Sequence, residues 1–127
     1  MRIEIEMLLI GLGGAIGALS RYGIAEFSKR VFSVEFPLGT LIANLVGCFL
    51  IGVLLGSGHA DKSDPIRLGL GIGFLGSLTT FSTFSAETVT QINSGNWLIA
   101  FSNVGISLGL GLILVFVGMV AGKKLAN

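Results

Sequence analysis

Ser77-Leu-Thr-Thr-Phe-Ser-Thr-Phe-Ser85 places six hydroxyl side chains within nine residues, directly behind Gly73 and Gly76 and inside an otherwise apolar run. A helical hydroxyl can return its bond to its own backbone, so one or two would carry little meaning. Six, preceded by two glycines, predict a helix that breaks. Outward from this stretch, Asp64-Pro65 reads as the cap and first turn of the helix, and Asn93-Ser-Gly-Asn96 as the polar turn that closes it. The enclosed span, about residues 66–92, exceeds the roughly 20 residues needed to cross the hydrocarbon core of a bilayer.

Three further apolar runs of that length flank it. The first covers about residues 5–27 and is closed by Lys29 and Arg30. The second covers about 36–57, begins at Phe36-Pro37, with proline tolerated in a first turn, and ends at Gly56 and Gly58. The third covers about 97–122, opens on Trp97, a residue suited to the interface, and stops at Lys123-Lys124. Gly58 to Pro65 is the clearly hydrophilic loop. The expected fold is an all-α membrane protein, a single four-helix transmembrane domain over residues 1–127 with its third helix broken near mid-membrane.

Composition agrees. Of 127 residues 52% are hydrophobic and 12% charged, 20 are glycine, and the mean hydropathy is +0.89. Soluble domains average about 25% charged residues. The formal net charge of +1 provides no basic footprint for nucleic acid. Cys48, the lone cysteine, excludes an intrachain disulfide and reads as a packing residue; His59, the lone histidine, reads as a solvated loop residue. Glu4 and Glu6 near the start, with no clear Ala-x-Ala site, argue against a cleaved signal peptide. With four spans, Arg2, Lys62, Arg67, Lys123 and Lys124 face Arg21, Lys29 and Arg30 across the membrane. That bias is weak; it favours cytoplasmic termini and also permits insertion both ways round.

The glycines recur four apart: Gly13 with Gly17, Gly39 with Ala43 and Gly47, Gly69 with Gly73, Gly105 with Gly109, Gly118 with Gly122. Small residues at this spacing let helix backbones approach closely in lipid. Gly71-Ile-Gly-Phe-Leu-Gly76 matches a dinucleotide-binding pattern, but it lies in a membrane helix and lacks the strand that pattern requires.

Polar groups at membrane depth ask for a partner or a function. Asn44 in the second span has two readings, an interhelical hydrogen bond or a ligand contact. Carbonyls released at a break between Gly76 and Thr79 would face a cation. Phe81 and Phe84, three apart, share a helix face with Thr80, Thr83 and Glu87. They read either as lipid-facing or core aromatics or as ring edges, the positive rim of the aromatic quadrupole, offered to a small anion. Arg21, Glu26 and Glu87 lie toward span ends. Arg21 either pairs structurally or draws anions to a vestibule. No catalytic triad, phosphate loop or metal-binding cluster occurs, which argues against an enzyme.

Three stretches, Gly14-Ala-Ile-Gly-Ala-Leu-Ser-Arg-Tyr22, Gly39-Thr-Leu-Ile-Ala-Asn44 and above all Gly73-Phe-Leu-Gly-Ser-Leu-Thr-Thr-Phe-Ser-Thr-Phe84, resemble the Fluc (CrcB) family of bacterial fluoride channels over essentially the whole chain. The resemblance implies an antiparallel, dual-topology homodimer in the bacterial inner membrane. Such a dimer would have two fluoride pathways and would passively export fluoride, lowering its toxicity. It further implies a structural sodium ion at the dimer centre, not transported, held by the backbone carbonyls of Gly76 and Thr79. Fluoride would meet the ring edges of Phe81 and Phe84 and the amide of Asn44. A hydroxyl track would continue through Thr80, Ser82 or Thr83 and, in the fourth span, Ser107, where Asn103 and Gly111 flank it. Arg21 and Glu87 would be vestibule or structural charges.

The alternative is a small proton-coupled transporter of the multidrug-resistance type. It would need a carboxylate in mid-span of the first helix, and Leu8 to Ser20 holds none. A small assembly subunit of a larger membrane complex is a third reading.

Overall fold

The computed structural model describes residues 2–59, 61 and 64–127. Lys62, counted in the charge comparison, and Ala60 and Ser63 of the hydrophilic loop lie outside the described residues. Among the described residues, four helical stretches are long and apolar enough to cross a membrane: α1 (Arg2–Val31), α2 (Leu38–Gly56), a composite third stretch over Arg67–Asn93, and α5 (Trp97–Leu125). In the composite stretch, α3 is π-helical over Arg67–Leu75 and α-helical over Gly76–Leu78, and α4 covers Phe81–Asn93. The chain is a multi-pass, all-helical membrane protein.

Charged side chains carry α1 beyond its apolar run. Arg2 Nε donates to Glu6 Oε1 at 3.1 Å and Lys29 Nζ to Glu26 Oε1 at 2.9 Å. Pairs at these spacings extend a helix past the point where apolar content stops. Pro37 stands just before α2 with φ −75° and ψ 62°, outside helical geometry, so the first turn starts one residue later than expected. Asp64 caps α3: its Oδ1 accepts the Ile66 N–H at 2.7 Å, and its Oδ2 lies 2.6 Å from His59 Nδ1. His59, read as a solvated loop residue, is in the loop and partly exposed, and it also pairs with Asp64. The Asp64 carboxylate needed for the cap also recruits the imidazole.

Helix contacts are made at glycines. A Cβ on Gly13 would collide with the Gly69 carbonyl, and one on Gly17 with that of Phe74, so α1 and α3 touch backbone to backbone. α2 and α5 meet the same way: a Cβ on Gly52 would strike the Val115 carbonyl, and one on Gly118 the Phe49 carbonyl. Such approach suits lipid, where packing replaces the hydrophobic effect as the cause of association. Gly105 and Gly109 depart from the expectation, because nothing lies within 4 Å of a Cβ at either position. Their face of α5 is open.

Ala43, Leu75 and Leu78 form the buried core, bordered by Ile24, Ile51 and Phe74. The outer faces of α1 and α5 expose Leu8, Leu12, Ile16, Leu112 and Phe116. Apolar surface this continuous is stable against lipid, not water.

Candidate functional site

Thr79 (φ −82°, ψ 151°) and Thr80 (φ −150°, ψ 117°) have extended backbone between Leu78 and Phe81. Gly76, at the start of the expected break, is itself helical at φ −63° and ψ −30°. Extended residues release polar backbone groups that must find partners. Asn44 of α2 supplies two of them: its Oδ1 accepts the Thr80 N–H at 2.7 Å, and its Nδ2 donates to the Thr80 carbonyl at 3.2 Å. An asparagine amide has two N–H donors. The Thr80 carbonyl takes one of them.

The threonine side chains serve the two helix ends. Thr79 Oγ1 donates to the Leu75 carbonyl at 2.9 Å, and Thr80 Oγ1 accepts the Thr83 N–H at 3.2 Å, capping α4. Thr80 Oγ1 also donates to Thr83 Oγ1 at 3.0 Å and lies 3.2 Å from Ser82 Oγ. Arg21 of α1 donates through Nε to the Ser77 carbonyl at 3.0 Å, so the guanidinium meets the negative end of α3 and not a carboxylate. In an unbroken α-helix the Thr80 and Thr83 N–H groups would bond the Gly76 and Thr79 carbonyls. Both donors are engaged elsewhere, so these two carbonyls lose their helical partners.

A cavity of about 410 Å³ opens beside this segment. Asn44, Gly76, Thr79, Thr80, Phe81, Phe84 and Ser107 all line it, together with Cys48 and apolar side chains. The lining residues include no Lys, Arg, Asp or Glu. The Phe81 and Phe84 rings sit 5.7 Å apart at 40°, a tilted aromatic pair. Arg21, Ser82, Thr83 and Glu87 are not on the cavity wall. Glu87 instead lines a second cavity, where its Oε1 accepts from Thr40 Oγ1 at 2.8 Å.

One polar connection escapes the sequence pattern. Ser107 Oγ donates to Asn103 Oδ1 at 3.4 Å, Asn103 Nδ2 donates to Thr88 Oγ1 at 3.0 Å, and Thr88 Oγ1 donates to the Phe84 carbonyl at 2.8 Å. Asn103, 2% exposed, thus ties α5 to the turn of α4 that carries Phe84. The only hint in the sequence is its place one turn before Ser107; its partner Thr88 has none.

Fold and site together define a multi-pass helical membrane protein with an uncharged, partly polar cavity at a break in helical bonding. Residues 8–119 match the family model described as CrcB-like protein, Camphor Resistance (CrcB). Among curated proteins the chain is 46% identical over 114 residues to the fluoride-specific ion channel FluC of Shewanella loihica, covering 89% of this chain and 92% of that one. It is 43% identical over 122 residues to the protein of the same name from Dehalococcoides mccartyi, covering 94% of each. The chain belongs to the CrcB family, whose relatives here are named as ion channels and not as enzymes.

Proposed function

We propose that this chain is a fluoride-selective passive channel that works as an antiparallel, dual-topology homodimer in the cell inner membrane and exports fluoride from the cytoplasm. The observation that carries the reading is the meeting of Asn44, Thr80, Phe81, Phe84 and Ser107 around one uncharged cavity, in a chain close to proteins named for fluoride conduction. A small anion must exchange its water for other donors. The spare Asn44 N–H and the rims of two phenyl rings are such donors; the Thr80 and Ser107 hydroxyls, whose protons otherwise go to Thr83 and Asn103, would join them by turning toward the anion, and none holds it as a fixed Arg would. Ser82 and Thr83, bonded to Thr80, extend the hydroxyl set.

The Gly76 and Thr79 carbonyls, deprived of their helical donors, fit the hard-oxygen chemistry of a structural sodium ion shared with a second copy. The ion would supply fixed positive charge at the break. The chain's own residues do the rest: Asn44 and Arg21 hold the backbone of the segment in place. Dual topology is supported by the weak charge bias between loops. The multidrug-transporter alternative is not favoured, because α1 has no carboxylate between Leu8 and Ser20. Fluoride release from liposomes, read with an ion-selective electrode, tests the reading: release indifferent to a proton gradient supports a channel, and proton-coupled export of a lipophilic cation would overturn it.

A further inference from the structure

The second cavity is walled by the end of α1, the α1–α2 connection, the start of α2 and α4. Thr40 precedes Asn44 by one turn and Glu87 follows Phe84 by three residues, so each pair shares a helix face. The chamber measures about 360 Å³, and its walls include Ser28, Lys29, Glu35, Thr40 and Glu87. Two oxygens of these residues, Ser28 Oγ and Glu87 Oε2, are buried and have no hydrogen-bond partner. Ser28 is 4% exposed.

A carboxylate oxygen shut away from water is costly unless a donor or a positive charge meets it. No neighbouring side chain bonds Glu87 Oε2. Thr40 Oγ1 serves the other Glu87 oxygen at 2.8 Å, Glu35 Oε2 accepts from Asn96 Nδ2 at 3.4 Å, and Lys29 Nζ bonds Glu26 at 2.9 Å, its charge acting on Glu87 without a hydrogen bond to Oε2. Ser28 and Glu87 do not bond each other, and both present lone pairs.

We propose that this chamber is a binding site for a monovalent metal cation, with Glu87 Oε2 as its anionic ligand, Ser28 Oγ as a neutral ligand and water completing the shell. Carboxylate and hydroxyl oxygens are hard donors. Glu87, half-buried with Oε2 shut from water, supplies one negative charge for one positive charge, and the chamber walls hold no His or Cys that would favour a transition metal. The site is separate from the Gly76 and Thr79 carbonyls and does not depend on fluoride conduction.

Equilibrium binding of radioactive sodium to the purified full chain tests it, with circular dichroism checking that each variant is folded. Wild type is expected to bind a full site per chain more than Glu87→Gln, and Ser28→Ala to weaken that site by about tenfold or more. Sodium at the Gly76 and Thr79 carbonyls would remain in both variants. Equal stoichiometry in wild type and folded Glu87→Gln would overturn the proposal, leaving the chamber to water. Thallium(I)-substituted wild-type crystals give a reading without any variant: an anomalous peak beside Glu87 and Ser28 supports the site, and its absence contradicts it.

Discussion

Asn44 on α2 and Thr80 at the junction of α3 and α4 exchange two hydrogen bonds, N–H to Oδ1 at 2.7 Å and Nδ2 to carbonyl at 3.2 Å. One side chain thereby replaces both backbone partners that Thr80 loses in leaving the helix. Asn44 thus makes the interhelical bond that is one of its two sequence readings, and it also lines the cavity, where the proposed ligand contact would be made.

Asn44→Ala should therefore affect fold and flux together. It strands a backbone N–H and a carbonyl in a partly buried place, at a cost of about 1–3 kcal/mol for each unsatisfied group. Thermal unfolding in detergent checks the direction; a variant as stable as wild type would mean that water replaces the amide.

Phe81→Ile and Phe84→Ile should separate conduction from stability. Phe81 is 78% exposed within the chain, so its ring contributes little to folding of the subunit. Ile keeps bulk and loses the electropositive rim. Fluoride efflux should fall by about tenfold or more, equivalent to about 1.4 kcal/mol of barrier, with helical content unchanged.

Gly17→Ala places a methyl against the Phe74 carbonyl, which is backbone and does not yield as a flexible side chain would. The expected cost is about 1–3 kcal/mol from overpacking. Gly109→Ala is the control, since that position meets nothing within the chain. Comparison of the two melting temperatures decides whether the α1–α3 contact limits stability.

The hydrogen bond from His59 holds the Asp64 carboxyl below its usual range, against some desolvation and with help from the Ile66 and Arg67 N–H groups. A carboxyl whose pKa is depressed by folding stabilises the fold above its ordinary pKa, and that contribution is lost as pH falls through the depressed value. The start of α3 should thus fray below the ordinary carboxylate range and be unchanged near neutrality. Amide exchange at Ile66 and Arg67 follows it, and Asp64→Asn should flatten the dependence.

Much of this was legible in the residue order, for identifiable reasons. Charges and turn residues interrupt the apolar runs, so the four long helices follow from counting; Ser77 to Ser85 marks where polar chemistry collects. The particular residues that leave the helix, Thr79 and Thr80, depend on Asn44, 36 positions away, and no local pattern encodes that. The π-helical bonding of Arg67–Leu75 is likewise unmarked, because Gly69, Gly71 and Gly73 fit a tight or a wide turn equally well. Spacing also suggested that Gly105 and Gly109 pack like Gly118 and Gly122. Only the fold separates a glycine pair facing α2 from one facing outward.

The central claim is selective passage of fluoride through the cavity shared by Asn44, Phe81 and Phe84. The most direct measurement is paired efflux of fluoride and chloride from the same reconstituted liposomes under an imposed voltage. Fast fluoride release with chloride retained, unchanged when the proton gradient is collapsed, is the expected result. Chloride leaving as fast as fluoride, or fluoride retained, would contradict it.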